Sequence, residues 1–211
     1  RNMNMEILNI LPQQMFKFKC DEKLLSLVNE EILEENWIFE KENCKTENKY
    51  LLRKSEYKLF TDWVEQCVDR VRVHLKFQCD RLSITQSWGN KIGNGDYFHI
   101  HQHQNSVISG IFYVNKSICG TRFGRTNPYW MRNVNDGDNK MMLSNIDDDS
   151  SYLFHYQPCN PGELVLFNSD LKHNVDANHS LSDRYTISFN TFPSGKIGNL
   201  EQLAGLTIEV L

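Results

Sequence analysis

The sequence has no long hydrophobic run and no strong net charge. Within its 211 residues no apolar stretch approaches the roughly 20 residues that cross a bilayer. The amino terminus lacks the apolar core of a signal peptide, which predicts a cytoplasmic location. The formal net charge of -4 provides no electrostatic attraction to nucleic acid or to an anionic membrane. We therefore expect neither a membrane nor nucleic acid as a partner.

Closely spaced cysteine pairs are also missing. The six cysteines, at positions 20, 44, 67, 79, 119 and 159, include no C-x-x-C motif. A zinc site usually contains such pairs, and a small secreted fold has a denser disulfide framework, so neither is favoured. The pattern predicts reduced, mostly buried thiols in a reducing compartment.

Internal repeats and low-complexity linkers are absent as well, so the sequence predicts one domain over residues 1–211. Its helical part is expected over about 1–79 and its strand-rich core over about 80–211. Apolar residues recur at helical spacing over 21–37, with Asp21 as the expected cap, and again over 55–77. The polar stretch 38–51 between them is predicted to be a loop.

After residue 80, short β-rich segments alternate with turns that contain Gly, Asn and Asp. Two helices followed by many short strands indicate an α+β protein, in which helices buttress a β-sandwich or a double-stranded β-helix of the jelly-roll or cupin type. The stretch 126–150 interrupts this rhythm and predicts a long loop, either a lid or a solvated surface segment. Strands are predicted over 82–88, 96–101, 107–114, 121–124, 152–156, 164–167, 173–175, 185–192 and 206–210.

Three histidines alternate within residues 99–103, at positions 99, 101 and 103. On an extended strand such residues project from one face, and imidazole is the commonest protein ligand of divalent transition metals. His173 follows a predicted buried strand far downstream. The pattern predicts a metal site that combines one close histidine pair with His173. Both His99 with His101 and His101 with His103 satisfy the spacing, and a surface cluster of histidines is the alternative.

A strand with two different faces follows His173. Apolar residues at 185, 187 and 189 alternate with Arg184, Thr186, Ser188 and Asn190, so one face is apolar and the other is cationic and polar. A buried arginine needs an anion, and its planar guanidinium suits a carboxylate held by two contacts. We therefore expect Arg184, assisted by Thr186, to bind either a carboxylate ligand or an acidic residue of the protein itself.

Taken together, these segments resemble a family of 2-oxoglutarate–Fe(II) oxygenases that occurs in bacteria and tailed phages. The resemblance covers about residues 80–192, roughly half of the chain, with the motifs in the same order. The motifs that carry it are Trp-Gly-Asn at 88–90, His-Gln-His-Gln-Asn-Ser at 101–106 leading into Ser-Gly-Ile-Phe-Tyr at 109–113, Gly-Glu-Leu-Val-Leu-Phe at 162–167, and the arginine strand that closes with Phe-Asn at 189–190.

The resemblance implies a jelly-roll core that binds Fe(II) and 2-oxoglutarate. It implies that Arg184 binds the distal carboxylate of 2-oxoglutarate and that Thr186 assists, with Tyr113 and Asn190 as further pocket residues. The implied metal ligands, and with Arg184 the implied catalytic residues, are His101, His103 and His173.

One position departs from the wider superfamily, in which the second ligand is Asp or Glu. Here His103 takes that place, which makes the metal centre more positive by one charge. This departure leaves two alternatives open: a site with only two protein ligands at equilibrium, and a site in which Asp96 supplies an oxygen ligand.

The implied activity is that of a non-haem Fe(II)- and 2-oxoglutarate-dependent dioxygenase, which hydroxylates a substrate while 2-oxoglutarate is decarboxylated to succinate. Two alternatives stay open at this point: a cupin-like three-histidine metal dioxygenase that does not use 2-oxoglutarate, and a non-catalytic jelly-roll binding module. The substrate class is equally open among protein side chains, free amino acids and small metabolites.

Overall fold

The computed structural model describes residues 13–124, 154–199 and 201–210. Within these residues the chain forms two α-helices, and two short 3₁₀ turns, Leu51–Arg53 and Ser55–Tyr57, precede the second helix. The helices are α1 (Glu22–Leu33) and α2 (Lys58–His74). The strands are β1 (Met15–Lys19), β2 (Trp37–Glu40), β3 (Asn43–Thr46), β4 (Cys79–Ile92), β5 (Phe98–His101), β6 (Ile108–Tyr113), β7 (Ser117–Gly124), β8 (Phe154–Cys159), β9 (Glu163–Asn168), β10 (Lys172–Val175), β11 (Arg184–Ile197) and β12 (Leu206–Ile208).

The strands form two antiparallel sheets. The larger sheet has the order β1-β9-β6-β11-β4-β3-β2, with β12 paired to β11. The smaller sheet has the order β5-β10-β7-β8. Strands that are distant in the sequence thus lie side by side, as in a double-stranded β-helix. The predicted α+β class with a jelly-roll core is confirmed.

Both helices pack on one face of the larger sheet. The apolar stripe of α2 is buried at Phe60, Val64 and Val68, in steps of four residues. The ring of Phe60 lies 4.6 Å from the ring of Phe112 on β6, centroid to centroid. This contact confirms the interpretation of the stripe as core packing against a sheet.

A second apolar layer lies between the two sheets. Because side chains alternate along a strand, β6 directs Phe112 to the helices and Ile111 to the smaller sheet. β9 divides its residues in the same way, with Leu166 toward the helices and Val165 toward the smaller sheet. Burial on both faces explains why β9 contains the continuous hydrophobic run Leu164–Phe167 and why β6, with the sequence Ile-Ser-Gly-Ile-Phe-Tyr, contains no charged residue.

The prediction of a loop over 38–51 is wrong, because β2 and β3 form a hairpin there. This hairpin extends the larger sheet by pairing Lys45 of β3 with Asn90 of β4. Ion pairs stabilise the hairpin, because the carboxylate of Glu40 lies 3.1 Å from Nζ of Lys45 and 2.9 Å from Nζ of Lys49. Neither β2 (Trp-Ile-Phe-Glu) nor β3 (Asn-Cys-Lys-Thr) has the regular alternation of apolar and polar residues that predicts a strand.

The predicted helix over 21–37 is shorter in the structure, since α1 ends at Leu33 and β2 begins at Trp37. Its expected cap is confirmed, because Oδ1 of Asp21 accepts a hydrogen bond of 2.8 Å from the backbone N–H of Leu24. The short strand β1, which pairs with β9 at the edge of the larger sheet, was not predicted.

All six cysteines are free, and five of them are buried, as predicted.

None of the helices in the described part of the chain is long and apolar enough to cross a membrane. The predicted long loop over 126–150 lies outside the described residues. The assignment of the whole chain to one domain stays a prediction.

Candidate metal centre

Three histidines from β5, β10 and the segment that follows β5 converge on one point. His101 lies directly opposite His173 in the β5–β10 pair, and His103 follows β5 by two residues. The backbone N–H of His103 donates a 2.9 Å hydrogen bond to the carbonyl of Ser169, which ties this segment to the turn before β10. One candidate ligand atom from each of the three rings lies within 4.8 Å of the other two.

Backbone carbonyls orient two of the three rings. Nδ1 of His101 lies 2.9 Å from the carbonyl oxygen of His99, and Nδ1 of His173 lies 2.9 Å from that of Leu171. Because a carbonyl oxygen only accepts, each Nδ1 carries the proton and each Nε2 keeps a lone pair. Nε2 of His173 lies 3.3 Å from Nε2 of His103, so it is directed at the third ring. This orientation is typical of histidines that coordinate a metal ion.

Burial keeps the three imidazoles neutral. Desolvation is the main cause that lowers the pKa of His103 to about 4 and that of His173 to about 3, with a further contribution from neighbouring His101. Desolvation also lowers the pKa of His101. At neutral pH all three rings are therefore in the unprotonated state that binds cations, and this nitrogen donor set fits a divalent transition metal ion.

The structure does not bring His99 or Asp96 into this cluster. Nδ1 of His99 lies 2.7 Å from Oε2 of Glu42, and the side chain of His99 is 51% exposed. Asp96 lies in the turn before β5, where its Oδ2 accepts a 3.0 Å hydrogen bond from the backbone N–H of Gly93. Of the two histidine pairs that satisfied the spacing, the structure brings His101 and His103 together with His173.

The cavity at the three histidines also contains Arg184. Strand β11 directs Arg184, Thr186 and Ser188 toward this cavity, whereas Ile187 and Phe189 face the helices. The polar face expected from the sequence is thus the inner face. The cavity is lined by Trp88, Asn90, Phe98, His101, His103, Ile111, Thr121, His173, Val175, Arg184, Thr186 and Ser188.

The guanidinium of Arg184 is buried among neutral groups, with 2% of the residue exposed. Its Nε donates to the carbonyl of Cys119 at 2.9 Å, and its Nη2 donates to Oγ1 of Thr121 at 3.1 Å. Its Nη1 lies 3.5 Å from Oγ1 of Thr186. None of the carboxylates among the described residues forms an ion pair with it. Because an uncompensated buried charge is costly, the site is complementary to an anion.

Neighbouring polar groups hold the hydroxyls near Arg184 in place. The phenol of Tyr113 donates a 2.9 Å hydrogen bond to Oγ1 of Thr121, and burial raises the pKa of Tyr113, so the phenol stays protonated. The ring of Tyr113 also lies 5.5 Å from the guanidinium carbon of Arg184. Nδ2 of Asn90 donates to Oγ of Ser188 at 2.9 Å and lies 3.4 Å from Oγ1 of Thr186.

Asn190 does not join this group. It is not among the residues that line the cavity, and neither is Tyr113, which contacts Thr121 and Arg184 from outside the lining. Oδ1 of Asn190 accepts a 2.9 Å hydrogen bond from Oγ of Ser109. Conversely, sequence reasoning missed Thr121, which lies on β7 of the opposite sheet. A lone threonine in a short strand has no pattern that marks it as a contact of Arg184. Asn90 is easier to identify from the sequence, because it lies in the Trp-Gly-Asn motif. In the structure it pairs with Thr186 across β4 and β11.

Comparison with solved structures identifies proteins that share this fold. HygX from Streptomyces hygroscopicus, solved with nickel and 2-oxoglutarate bound, is 10% identical with a TM-score of 0.61 over 86% of this chain and 83% of that chain. A prolyl-4-hydroxylase from Pseudomonas putida is 13% identical, with a TM-score of 0.58 over 87% of this chain and 94% of that chain. The non-heme alpha ketoglutarate dependent epimerase SnoN from nogalamycin biosynthesis is 9% identical, with a TM-score of 0.63 over 94% of this chain and 88% of that chain.

Comparison of the sequence with protein families gives a more specific result. No curated protein matches this chain at a significant level. The profile of one family, described as "Putative 2OG-Fe(II) oxygenase", matches residues 86–190, about half of the chain. The matched span contains the three clustered histidines and Arg184. The chain belongs to this family of 2-oxoglutarate–Fe(II) oxygenases.

Proposed function

We propose that this protein is a non-haem Fe(II)- and 2-oxoglutarate-dependent dioxygenase that hydroxylates its substrate. One observation carries the proposal: a single cavity combines three neutral imidazoles with the buried guanidinium of Arg184, which has no acidic partner among the described residues. A metal ion beside a small dicarboxylate satisfies both features. Membership of the oxygenase family supports the same ligands.

In this proposal His101, His103 and His173 hold the iron. The Nδ1 hydrogen bonds of His101 and His173 fix the tautomer and the ring plane, so Nε2 of each ring is free to coordinate. The chemistry that iron and 2-oxoglutarate supply when bound is the coupled oxidation in which O₂, 2-oxoglutarate and a C–H substrate give succinate, CO₂ and an alcohol.

Arg184 binds the distal carboxylate of 2-oxoglutarate in this proposal. Oγ1 of Thr121 already accepts hydrogen bonds from Tyr113 and Arg184, so the hydroxyl proton of Thr121 is free to be donated to the carboxylate. Oγ1 of Thr186 lies within reach of Arg184 and Asn90 and has the same capacity. A charged donor and two hydroxyl donors on one cavity wall match the oxygen atoms of a carboxylate.

The three imidazoles have a consequence for charge. Neutral ligands leave both positive charges of Fe(II) uncompensated until the dianion of 2-oxoglutarate binds. A carboxylate ligand in place of His103 would remove one of these charges. We therefore expect metal binding and 2-oxoglutarate binding to reinforce each other, because the bound metal ion attracts the dianion and the bound dianion neutralises the charge of the metal ion.

The set of three histidines also favours a second candidate, a cupin-like metal dioxygenase that does not use 2-oxoglutarate. Arg184 separates the two candidates, because only the first requires the guanidinium to bind a carboxylate co-substrate. We propose a protein side chain or a small molecule as the substrate. HygX, which has a similar fold, was also solved with hygromycin B bound, so the fold accommodates small-molecule ligands in that protein.

Release of labelled CO₂ from 2-oxoglutarate in the presence of Fe(II) tests the proposal. We expect turnover by the wild type and loss of turnover in His173→Ala, which removes one proposed ligand. His155→Ala is the matched control, because His155 is exposed on β8 outside the cluster and its substitution should preserve turnover. Equal turnover in the wild type and in His173→Ala would contradict the assignment.

A further inference from the structure

His99 belongs to the alternating histidine stretch 99–103 but is not part of the cluster of His101, His103 and His173. Its ring Nδ1 donates to Oε2 of Glu42 at 2.7 Å, and its backbone N–H donates to the same oxygen at 3.2 Å. One carboxylate oxygen thus holds both the ring and the main chain of His99. The carbonyl oxygen of His99 in turn accepts the 2.9 Å hydrogen bond from Nδ1 of His101. Glu42 is therefore connected through a single residue to a proposed metal ligand.

Strand β5, which carries His101, has little support of its own. It has four residues and lies at the edge of the smaller sheet. Its register with β10 has an irregularity between the pairs His173–His101 and Val175–Phe98. A short edge strand with interrupted pairing needs other contacts to hold its backbone in place.

The turn between β2 and β3 and the first residue of β3 supply those contacts. The backbone N–H of Tyr97 donates to the carbonyl of Glu42 at 3.3 Å, and Nδ2 of Asn43 donates to the carbonyl of Tyr97 at 2.9 Å. With the two bonds from His99 to Glu42, this turn takes the place of a neighbouring strand along β5. Lys41, at the start of the turn, has a φ of 60°, a left-handed conformation that is uncommon outside glycine.

The hairpin is anchored in the larger sheet, so it joins the two sheets beside His101. β3 pairs with β4 through Cys44 and Lys45. Nζ of Lys45 lies 5.3 Å from the ring centroid of Phe98, and that ring stacks on His101 at 4.4 Å. The hairpin thus contacts both the backbone of β5 and the aromatic ring that packs on the proposed ligand.

We propose that Glu42 is a positioning residue of the metal centre, which orients the imidazole of His101 by holding His99. The inference rests on the proposed function to the extent that the histidine cluster must bind a metal ion. Loss of an outer hydrogen-bond partner of a histidine ligand typically weakens metal binding by about 10- to 100-fold. Since Glu42 acts through His99, we expect an effect near the lower end, about tenfold.

Titration of the metal-free protein with Co(II), followed by the visible d–d absorption of the bound ion, tests this role. Glu42→Ala should weaken Co(II) binding by about tenfold and change the spectrum of the bound ion, because the ring of His101 is no longer held in one orientation. Glu42→Gln should restore much of the affinity, because its amide oxygen still accepts from His99. Adding His99→Ala to Glu42→Ala should cause little further loss of Co(II) affinity, because both substitutions remove the same hydrogen bond between Glu42 and the ring of His99.

Glu47→Ala is the control, because Glu47 is exposed one residue after β3 and its removal changes the net charge equally. Equal Co(II) affinity and spectra in Glu42→Ala and Glu47→Ala would overturn the inference while leaving the metal centre intact. A Glu42→Ala protein that melts earlier but binds Co(II) with the wild-type spectrum and affinity would also overturn it, in favour of a purely structural role. Failure of the wild type itself to bind Co(II) would refute the metal centre, and the inference with it.

Discussion

At the scale of single residues, Thr121 connects the two sheets at Arg184. Its Oγ1 accepts from Nη2 of Arg184 and from the phenol of Tyr113, and Thr121 lines the proposed co-substrate cavity. Thr121→Val keeps the shape of the side chain but removes the hydroxyl. Because hydrogen bonds to charged groups contribute roughly 1.5–3 kcal/mol, we expect 2-oxoglutarate to bind at least about tenfold more weakly. Calorimetric titration of the metal-loaded protein under anaerobic conditions measures this change.

The control for this substitution is Thr191→Val. Thr191 is also a buried threonine in a strand, but its hydroxyl donates to the carbonyl of Ile108 and it does not line the cavity. We expect it to lower stability without changing the affinity for 2-oxoglutarate. Equal affinities in Thr121→Val and the wild type would exclude Thr121 from the co-substrate site.

Single residues differ in how well the sequence predicts their place. The H-x-H spacing predicts that His101 and His103 approach one metal ion, although His103 lies two residues beyond the end of β5. Alternation along β11 groups Arg184 with Thr186. These pairings depend only on neighbours in the sequence, so they could be predicted. The contact of Thr121 with Arg184 and that of Glu42 with His99 join segments more than 50 residues apart. No local pattern determines such contacts, so only the folded chain reveals them.

At the scale of elements, the pairing of β6 with β11 depends on Gly110. Gly110 lies opposite Phe189, and a Cβ at position 110 would overlap the Phe189 ring, with Cε2 at 2.8 Å. Phe189 is fully buried, so its ring has no space into which it can move. Gly110→Ala should therefore lower the free energy of unfolding by about 2 kcal/mol, as overpacked cores do. Thermal unfolding should show a decrease in Tm of about 5 °C.

A second substitution tests the cause of this loss. Phe189→Leu shortens the side chain that the new methyl group meets, so it should cost less stability in the Gly110→Ala background than in the wild type. Denaturant unfolding of the two single variants and the double variant gives the interaction energy. Strictly additive costs would show that the two residues do not compete for space.

Elements with strong periodicity could be predicted from the sequence, and elements that depend on distant partners could not. α2 and the doubly buried strands β6 and β9 have unmistakable apolar patterns. The β2–β3 hairpin has only the three apolar residues Trp37, Ile38 and Phe39, a run too short to indicate a strand. The hairpin is stabilised by pairing with β4 and by the ion pairs of Glu40 with two lysines. β1 is a five-residue edge strand whose conformation is supported by its pairing with β9.

At the scale of the whole molecule, the neutral histidines should make the stability of the metal-free protein depend on pH. In the folded state the pKa of His103 is about 4 and that of His173 about 3, below the unfolded value near 6.5. Between pH 6.5 and these values the unfolded chain binds more protons than the folded chain. Stability should therefore fall as pH decreases through this window, by about 1.4 kcal/mol per pH unit for each histidine. Urea unfolding in the presence of a chelator measures the slope.

Two variants isolate the contribution of His173. His173→Asn removes one titrating ring, so the slope below pH 6.5 should decrease by about 1.4 kcal/mol per pH unit. Phe123→Leu alters an aromatic ring that stacks on His173 at 5.6 Å and adds no titrating group, so it should lower stability without changing the slope. Identical slopes for His173→Asn and the wild type would show that His173 is not held neutral in the folded state.

The central claim is that the three histidines and Arg184 form one site for a metal ion and a dianionic keto acid. Visible absorption during anaerobic addition of Fe(II) and 2-oxoglutarate tests it most directly. We predict a charge-transfer band that requires both additions and disappears in His173→Ala. Arg184→Met should require at least about tenfold more 2-oxoglutarate for the same band, because a charged pair is lost. A wild-type protein that binds Fe(II) without developing the band, or an Arg184→Met variant with unchanged dependence on 2-oxoglutarate, would contradict the claim.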